Sequence, residues 1–256
     1  MTAVIGPPHA LQPELVLAAY AIGVFPMADA RDAREVYWVE PRDRAILPLD
    51  GFRLSRSLRK TIAADRFRVT ADTAFDQVIA LCAEAADDRP DTWINGGIAS
   101  AFRTLHQRGC AHSIECWEGD RLVGGLYGLA LGRAFFGESM VSRARDASKV
   151  ALAWLVARLK VGGLALLDCQ FMTDHLASLG AVEISRDAYQ ARLAHALTDY
   201  SPGGGGGGSG DGGGFGALDA LASGRGVAVA RGAAGLAAGA GPLSGKDIVQ
   251  FLVQTS

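Results

Sequence analysis

Cysteine is scarce in this 256-residue chain, and its four residues, Cys82, Cys110, Cys116 and Cys169, show no CxxC spacing and follow no apolar leader. That pattern argues against a secreted disulfide scaffold and against a structural zinc site, and predicts reduced, mostly buried thiols in a cytoplasmic protein. An excess of one charge is also missing. Lys and Arg total 25 against 27 Asp and Glu, so any site for a polyanion must be a local patch. Long apolar runs are absent too: Leu122–Leu131 and Val150–Leu159 are too short or too interrupted to span a bilayer. What remains, 49% hydrophobic and 20% charged residues, is the ordinary composition of a chain with a real core.

Glycine is abundant, and in one place. Residues 203–208 are six consecutive glycines, and the chain up to Gly241 is almost entirely Gly, Ala, Ser and isolated aliphatics. Such a composition buries too little apolar surface to offset its backbone entropy, so 201–246 is predicted to be a flexible linker. The end, 247–256, regains β-branched and aromatic residues from Asp247 to Gln254 and is predicted to form a strand.

Ahead of that linker the periodicity predicts a helix over Pro13–Ile22 stopped by Gly23, and further helices over Thr73–Ala86 and Ile98–Gln107. Three apolar runs follow, Ala111–Trp117, Leu122–Leu131 and Arg133–Met140, separated by Glu118-Gly119-Asp120 and by Gly132 as in an antiparallel meander. A helix then runs to Lys160, with Asp146 or Ser148 as its cap. After it come a short buried strand Leu164–Gln170, a helical turn His175–Leu179, a strand Ala181–Ile184 and a last helix Asp187–Leu197. The order is α+β and acyltransferase-like.

The reactive side chains concentrate in Leu166-Leu167-Asp168-Cys169-Gln170-Phe171-Met172-Thr173-Asp174-His175. Alternation along a strand puts Asp168 and Gln170 on one face with Leu166, and Leu167 and Cys169 on the other. The acid and the amide are therefore a pair, and the thiol is packing. Asp168 serves either a site at the strand end or the capping of a nearby loop. His175 has no second histidine at metal-ligand spacing and is a surface or capping residue. Gly124-Gly125-Leu126-Tyr127-Gly128 lacks the Lys-Ser/Thr of a phosphate loop and a following helix, so a bulged strand with close backbone approach is expected.

The run from Phe52 to Lys60 holds four cations, Arg53, Arg56, Arg59 and Lys60, and no acid. On a helix Arg53, Arg56 and Lys60 share a face, and in a net-acidic chain the cluster fits either a solvated surface or an RNA-binding patch for a phosphate backbone. Trp93 stands in a polar turn, where an exposed indole for stacking and a partly buried core residue are both open.

Taken together, Ala19–Pro26, Ser55-Arg56-Ser57-Leu58, Thr92-Trp93-Ile94, Leu105-His106 with Ala111–Glu115, Leu122–Gly128, Phe136–Met140, Ala147-Ser148-Lys149 and Asp168-Cys169-Gln170 resemble the bacterial leucyl/phenylalanyl-tRNA–protein transferase family, in order from about Leu11 to Leu197. The resemblance implies an aminoacyltransferase that moves Leu, Phe or Met from charged tRNA to the N-terminal Arg or Lys of an acceptor protein, creating a degradation signal. It implies a small N-terminal domain over 1–44 and a GNAT-like (acetyltransferase-like) domain over 45–200, its mixed sheet flanked by helices. It also implies site residues: Asp168 and Gln170 as catalytic acid and amide, Trp93 for stacking, Glu138 against adenosine, and Ser139 beside it. The pocket for the transferred side chain maps to Leu126, Phe135, Met140, Leu152 and Leu167, with Tyr20 at the rim. Position 141 departs from the family's Ser-Met-Phe, because Val141 follows Ser139-Met140 here.

An aminoacyl ester is already activated, so the implied chemistry needs no metal, ATP or other cofactor; positioning and oxyanion stabilisation suffice. The implied partners are aminoacyl-tRNA and proteins with N-terminal Arg or Lys, met by a cytoplasmic monomer with no membrane involvement. Two rivals share part of this pattern. An acyl-CoA N-acyltransferase would need a glycine-rich pyrophosphate loop where Arg145-Asp146-Ala147-Ser148-Lys149 stands, and a non-catalytic RNA-binding module would need the basic patch but not Asp168 and Gln170.

Overall fold

A computed structural model describes residues 11–84, 92–198, 214–223, 236 and 243–255. Helix α1 (Pro13–Ala21) opens on proline at its first position and ends at Gly23, whose φ of +81° strains any residue with a Cβ. Strands β1 (Phe25–Met27) and β2 (Tyr37–Val39) form a small sheet of their own before β3 (Asp43–Ile46) joins the main sheet. Helix α2 (Arg56–Ala63) is capped by the Ser55 hydroxyl and leads to β4 (Arg68–Ala71). Helices α3 (Phe75–Cys82) and α4 (Gly96–Gln107) follow, the second capped by the Asn95 side chain.

The meander lies where the spacing predicts it, as antiparallel β5 (Ala111–Glu118), β6 (Arg121–Leu131) and β7 (Ala134–Ser142) turning at Gly119 and Gly132. Helix α5 (Ala147–Val161) supplies the crossover that a parallel neighbour requires, and β8 (Leu166–Gln170) runs parallel to β7. A helical turn α6 (Asp174–Ser178) capped by Thr173, strand β9 (Val182–Ser185) and helix α7 (Arg186–Ala196) complete this body. The sheet is mixed and seven-stranded, in the order β4-β5-β6-β7-β8-β3-β9, and helices flank both faces. A mixed sheet flanked by helices, of α+β class, is as expected.

Strand alternation divides the core in two. Leu126, Phe135 and Leu167 point into one layer with Leu58, Ile62 and Leu152; Tyr127, Phe136 and Leu166 point into the other with Tyr20, Phe102 and Tyr189. The glycines of Gly124–Gly128 serve close packing within the sheet. A Cβ at Gly128 would lie 2.3 Å from the Phe136 carbonyl oxygen, and the β6–β7 register shifts between Tyr127 and Gly128.

Past residue 201 the structure corrects the sequence reading twice. Inside the expected linker, helix α8 (Ala217–Ala222) docks on α5 with Phe215, Leu218 and Leu221 buried, and Arg158 donates to both carboxylate oxygens of Asp219 at 2.6 and 2.5 Å. A few large side chains among the alanines are enough when a helix face is there to receive them. Apart from Leu236, also buried, the residues between Ser223 and Leu243 lie outside those described. The expected terminal strand is helix α9 (Gly245–Gln254). Ile248, Phe251 and Leu252 recur at helical spacing and are buried, and Ser244 with Asp247 closes a capping box, so period and cap outweigh the β-rich composition. The expected domain boundary after residue 44 falls inside β3.

Candidate active site

Strands β7 and β8 pair only from Ala134–Leu166 to Phe136–Asp168 and then part. Each strand is irregular at the parting point. On β7, Gly137 pairs with Gly128 and Ser139 with Tyr127, which leaves Glu138 as the extra residue of a bulge. On β8, Gln170 takes a φ of +62°, rare for a residue with a side chain and a feature of functional sites. Across the opening, Gln170 Nε2 donates to Glu138 Oε1 at 2.9 Å.

Behind this bridge Asp168 is wholly buried and surrounded by donors. Its Oδ1 accepts from Arg44 Nε at 2.9 Å and from the Gln170 backbone N–H at 2.8 Å. Its Oδ2 accepts from Arg44 Nη2 at 2.5 Å and from the Tyr189 hydroxyl at 2.9 Å. The Arg44 guanidinium lies between the rings of Phe25 and Tyr189, 4.7 and 4.5 Å from their centroids, and Nη1 donates to the Gly23 carbonyl at 3.0 Å. Burial works against the Arg44 charge, but pairing with Asp168 outweighs it and holds the guanidinium above its ordinary pKa. Burial and the Asp168 charge together push the Tyr189 phenol up.

Glu138 behaves differently. Burial pushes its pKa up to about 8; Tyr20, Arg44 and Gln170 pull it back, while Asp168 adds to the rise. A neutral acid therefore bridges β7 and β8 at neutral pH. Tyr20 is not at a rim: it is fully buried, edge-on to Phe136 at 4.9 Å and to Phe102 at 6.4 Å, with its hydroxyl beside Glu138. Burial, then the Glu138 charge, holds that phenol well above its usual range. Its place follows from α1, which carries Tyr20 into the layer under Phe136.

The other expected site residues fall into four groups. Leu126, Phe135, Leu152 and Leu167 are buried in a single cluster with Met140 against it, on the sheet face opposite the Asp168 network. The half-buried Ser139 follows the bulge. Trp93 is half-buried, with its indole packed against the second cluster. Arg56, Arg59 and Lys60 are exposed on α2, while Arg53 precedes the helix and so is not on its face. Cys169 packs into the first cluster, away from the acid, and burial followed by the Asp168 charge pushes its thiol up, as a packing role requires. Among the described residues no group of three or more His, Cys, Asp or Glu is placed to hold a metal, and no helix is long and apolar enough to cross a membrane.

Arg44 and Tyr189 were not expected. They lie 124 and 21 residues from Asp168 in sequence. The one available signal was physical: a buried acid needs donors, and Arg44 runs straight into the apolar stretch Ala45-Ile46-Leu47, where an unpaired cation would be costly.

Family models for leucyl/phenylalanyl-tRNA protein transferase match residues 46–194, and for its N-terminal domain residues 9–42. A leucyl/phenylalanyl-tRNA–protein transferase of Rhizorhabdus wittichii is 61% identical over 250 residues, 96% of this chain and 99% of its own length. Proteins of the same name from Zymomonas mobilis and Novosphingobium aromaticivorans are 64% identical over 190 residues and 57% identical over 196, covering 74% and 77% of this chain and 71% and 74% of their own. Among solved structures, that of L-PGS from Bacillus licheniformis covers 60% of this chain and 51% of its own at a TM-score of 0.36 and 10% identity, too distant to bear on the site. With more than half of its length matched by the family model and a relative this similar from end to end, the chain belongs to the leucyl/phenylalanyl-tRNA–protein transferase family.

Proposed function

We propose that this protein moves Leu, and also Phe and Met, from aminoacyl-tRNA to the N-terminal Arg or Lys of acceptor proteins, marking them for degradation, and that it works as a cytoplasmic monomer. Family membership supports aminoacyl transfer to protein, and the observation that carries the site is the Gln170–Glu138 bridge where β7 and β8 part. An acyl-CoA reading is weaker because Asp146, at a φ of 69°, occupies the start of α5 and a phosphate-binding glycine loop is absent from that sequence.

The donor ester places its side chain toward the apolar set of Leu126, Phe135, Met140, Leu152 and Leu167, and its adenosine toward Glu138, Ser139 and Trp93. Such a set favours Leu, Phe and Met; each methylene lost is worth about 1–3 kcal/mol, and β-branched side chains fit poorly. With the apolar set on one face of the sheet and the acid network on the other, the proposed function sets the ester carbonyl at the strand opening, next to Gln170. Tyr20 acts from beneath this opening, through Glu138. Arg53, Arg56, Arg59 and Lys60 face the tRNA body.

Asp168 positions Gln170 and does not itself take the proton. Both of its oxygens accept from Arg44, from Tyr189 or from the Gln170 N–H, and none of it is exposed. An α-amine with a pKa of about 7.7–8.0 is already part neutral near pH 7, so the amine attacks the ester carbonyl and a ribose hydroxyl of the donor carries its proton to the leaving oxygen. Transfer of labelled Leu from charged tRNA to a protein beginning with Arg tests this function. A protein that binds charged tRNA without transferring Leu would be the RNA-binding module instead.

A further inference from the structure

The C-terminal helix has no part in the chemistry above and lies outside both matched family regions. It is nevertheless held tightly, and α2 is its principal neighbour. Gly245 sits so close to the end of α2 that a Cβ there would lie 1.9 Å from the Ile62 carbonyl oxygen, and its N–H donates to Asp65 Oδ1 at 2.6 Å. At the other end of α9, Lys160 Nζ of α5 donates to the Thr255 carbonyl at 2.5 Å and to Asp50 Oδ1 at 2.7 Å. Ile248, Phe251 and Leu252 share one core cluster with Leu58 and Ile62, the buried residues of α2.

This docking builds a cavity of about 290 Å³ lined by Phe52, Arg53, Leu54, Arg59 and Val253 of α9. Arg59 is oriented by a bond from Nε to the Leu54 carbonyl at 3.1 Å, which leaves its two terminal nitrogens for another acceptor. The Arg53 backbone is anchored by its N–H to the Leu179 carbonyl at 2.8 Å. Among the described residues no carboxylate lies within ion-pair distance of Arg53, Arg56, Arg59 or Lys60, whereas Arg66, Arg103, Arg108 and Arg121 each have one. Guanidinium groups fork onto phosphate oxygens, and a concave site with two of them and no acid matches a phosphodiester.

We infer that this cavity takes a backbone phosphate of the tRNA body and that the C-terminal helix forms one of its walls. The inference rests on the reading of the basic segment as tRNA-facing. It makes α9 part of the donor-binding surface, through Val253, which is 43% exposed and so can be changed without opening the core.

The test compares two donors, charged tRNA and 3′-leucyl-adenosine, on full-length Val253→Asp and Val253→Arg. The Asp variant should lower the ratio of kcat/KM for charged tRNA over the minimal donor about tenfold and reduce the log–log salt slope by about one, as for the loss of one phosphate contact. The Arg variant should raise that ratio and steepen the slope. Equal losses on both donors in the Asp variant would show that Val253 acts through the fold, and an unchanged ratio would mean that the cavity holds no tRNA phosphate, only a free anion if any; either result overturns the inference. Failure of the transferase reading itself would show differently, as no transfer from charged tRNA by the unmodified protein.

Discussion

Replacing Asp168 by Asn changes one oxygen for an NH2 group and tests whether this acid positions or catalyses. Every contact to the carboxylate is made by a donor: Arg44 Nε and Nη2, the Gln170 N–H and the Tyr189 hydroxyl. An amide brings its own N–H into that ring and leaves Arg44 charged without a counterion, with side-chain exposures of only 2% and 0% for the pair. Breaking a buried ion pair from one side costs about 3–5 kcal/mol. At roughly 2–4 °C per kcal/mol for a chain of this size, melting should fall by about 6–20 °C. Activity, measured below both melting points, should drop by about 100-fold, because the one remaining oxygen must serve both Arg44 and the Gln170 N–H, which loosens the hold on Gln170 at its φ of +62°. Tyr189→Phe keeps the ring over Arg44 and removes one hydrogen bond, so its cost should stay near 1 kcal/mol, with most activity kept. An Asn variant with unaltered melting and undiminished transfer would refute the hub described here.

Glu138 predicts a pH effect on stability. Its carboxyl is raised from 4.5 to about 8, so between those values the native state keeps a proton that the unfolded chain has released, and stability falls as pH rises through this window. A shift of that size is worth on the order of 5 kcal/mol; Glu138→Gln should abolish the pH dependence, and equal unfolding free energies from denaturant titrations at pH 5.5 and 8.5 would contradict the burial argument. Charge reversal at Arg56 and Lys60 should weaken use of charged tRNA and flatten its salt dependence by about two, one for each phosphate contact, with a much smaller effect on 3′-leucyl-adenosine. Met140→Ala should shift donor preference from Leu toward Phe by up to tenfold, read from competition between the two charged tRNAs. Cys169→Ala should keep transfer within about twofold of the unmodified protein, since its thiol packs on the far face from the acid; a dead variant would return Cys169 to the site.

What could be seen in the sequence follows from how far each physical signal reaches. The period of two along Leu166–Gln170 is a local property of an extended chain, and it separated Cys169 from Asp168 correctly. The meander and the helix that follows it were legible for the same reason, with Gly119 and Gly132 marking turns that need positive φ. Composition misled at the end of the chain, where Ile248, Phe251 and Leu252 look strand-like by residue type and helical by spacing, and a helix face of α2 was waiting for them. The most consequential gap was Asp168. Residue type and resemblance suggest an acid with free lone pairs, but their occupancy depends on Arg44 and Tyr189, which are brought together only when β3 pairs with β8 and α7 packs beneath. In the proposed function the reactive edge accordingly lies two residues along the strand, at Gln170 and its neutral partner Glu138. A bulge and one left-handed residue turn these two side chains into the opening that flat, regular strands would have closed.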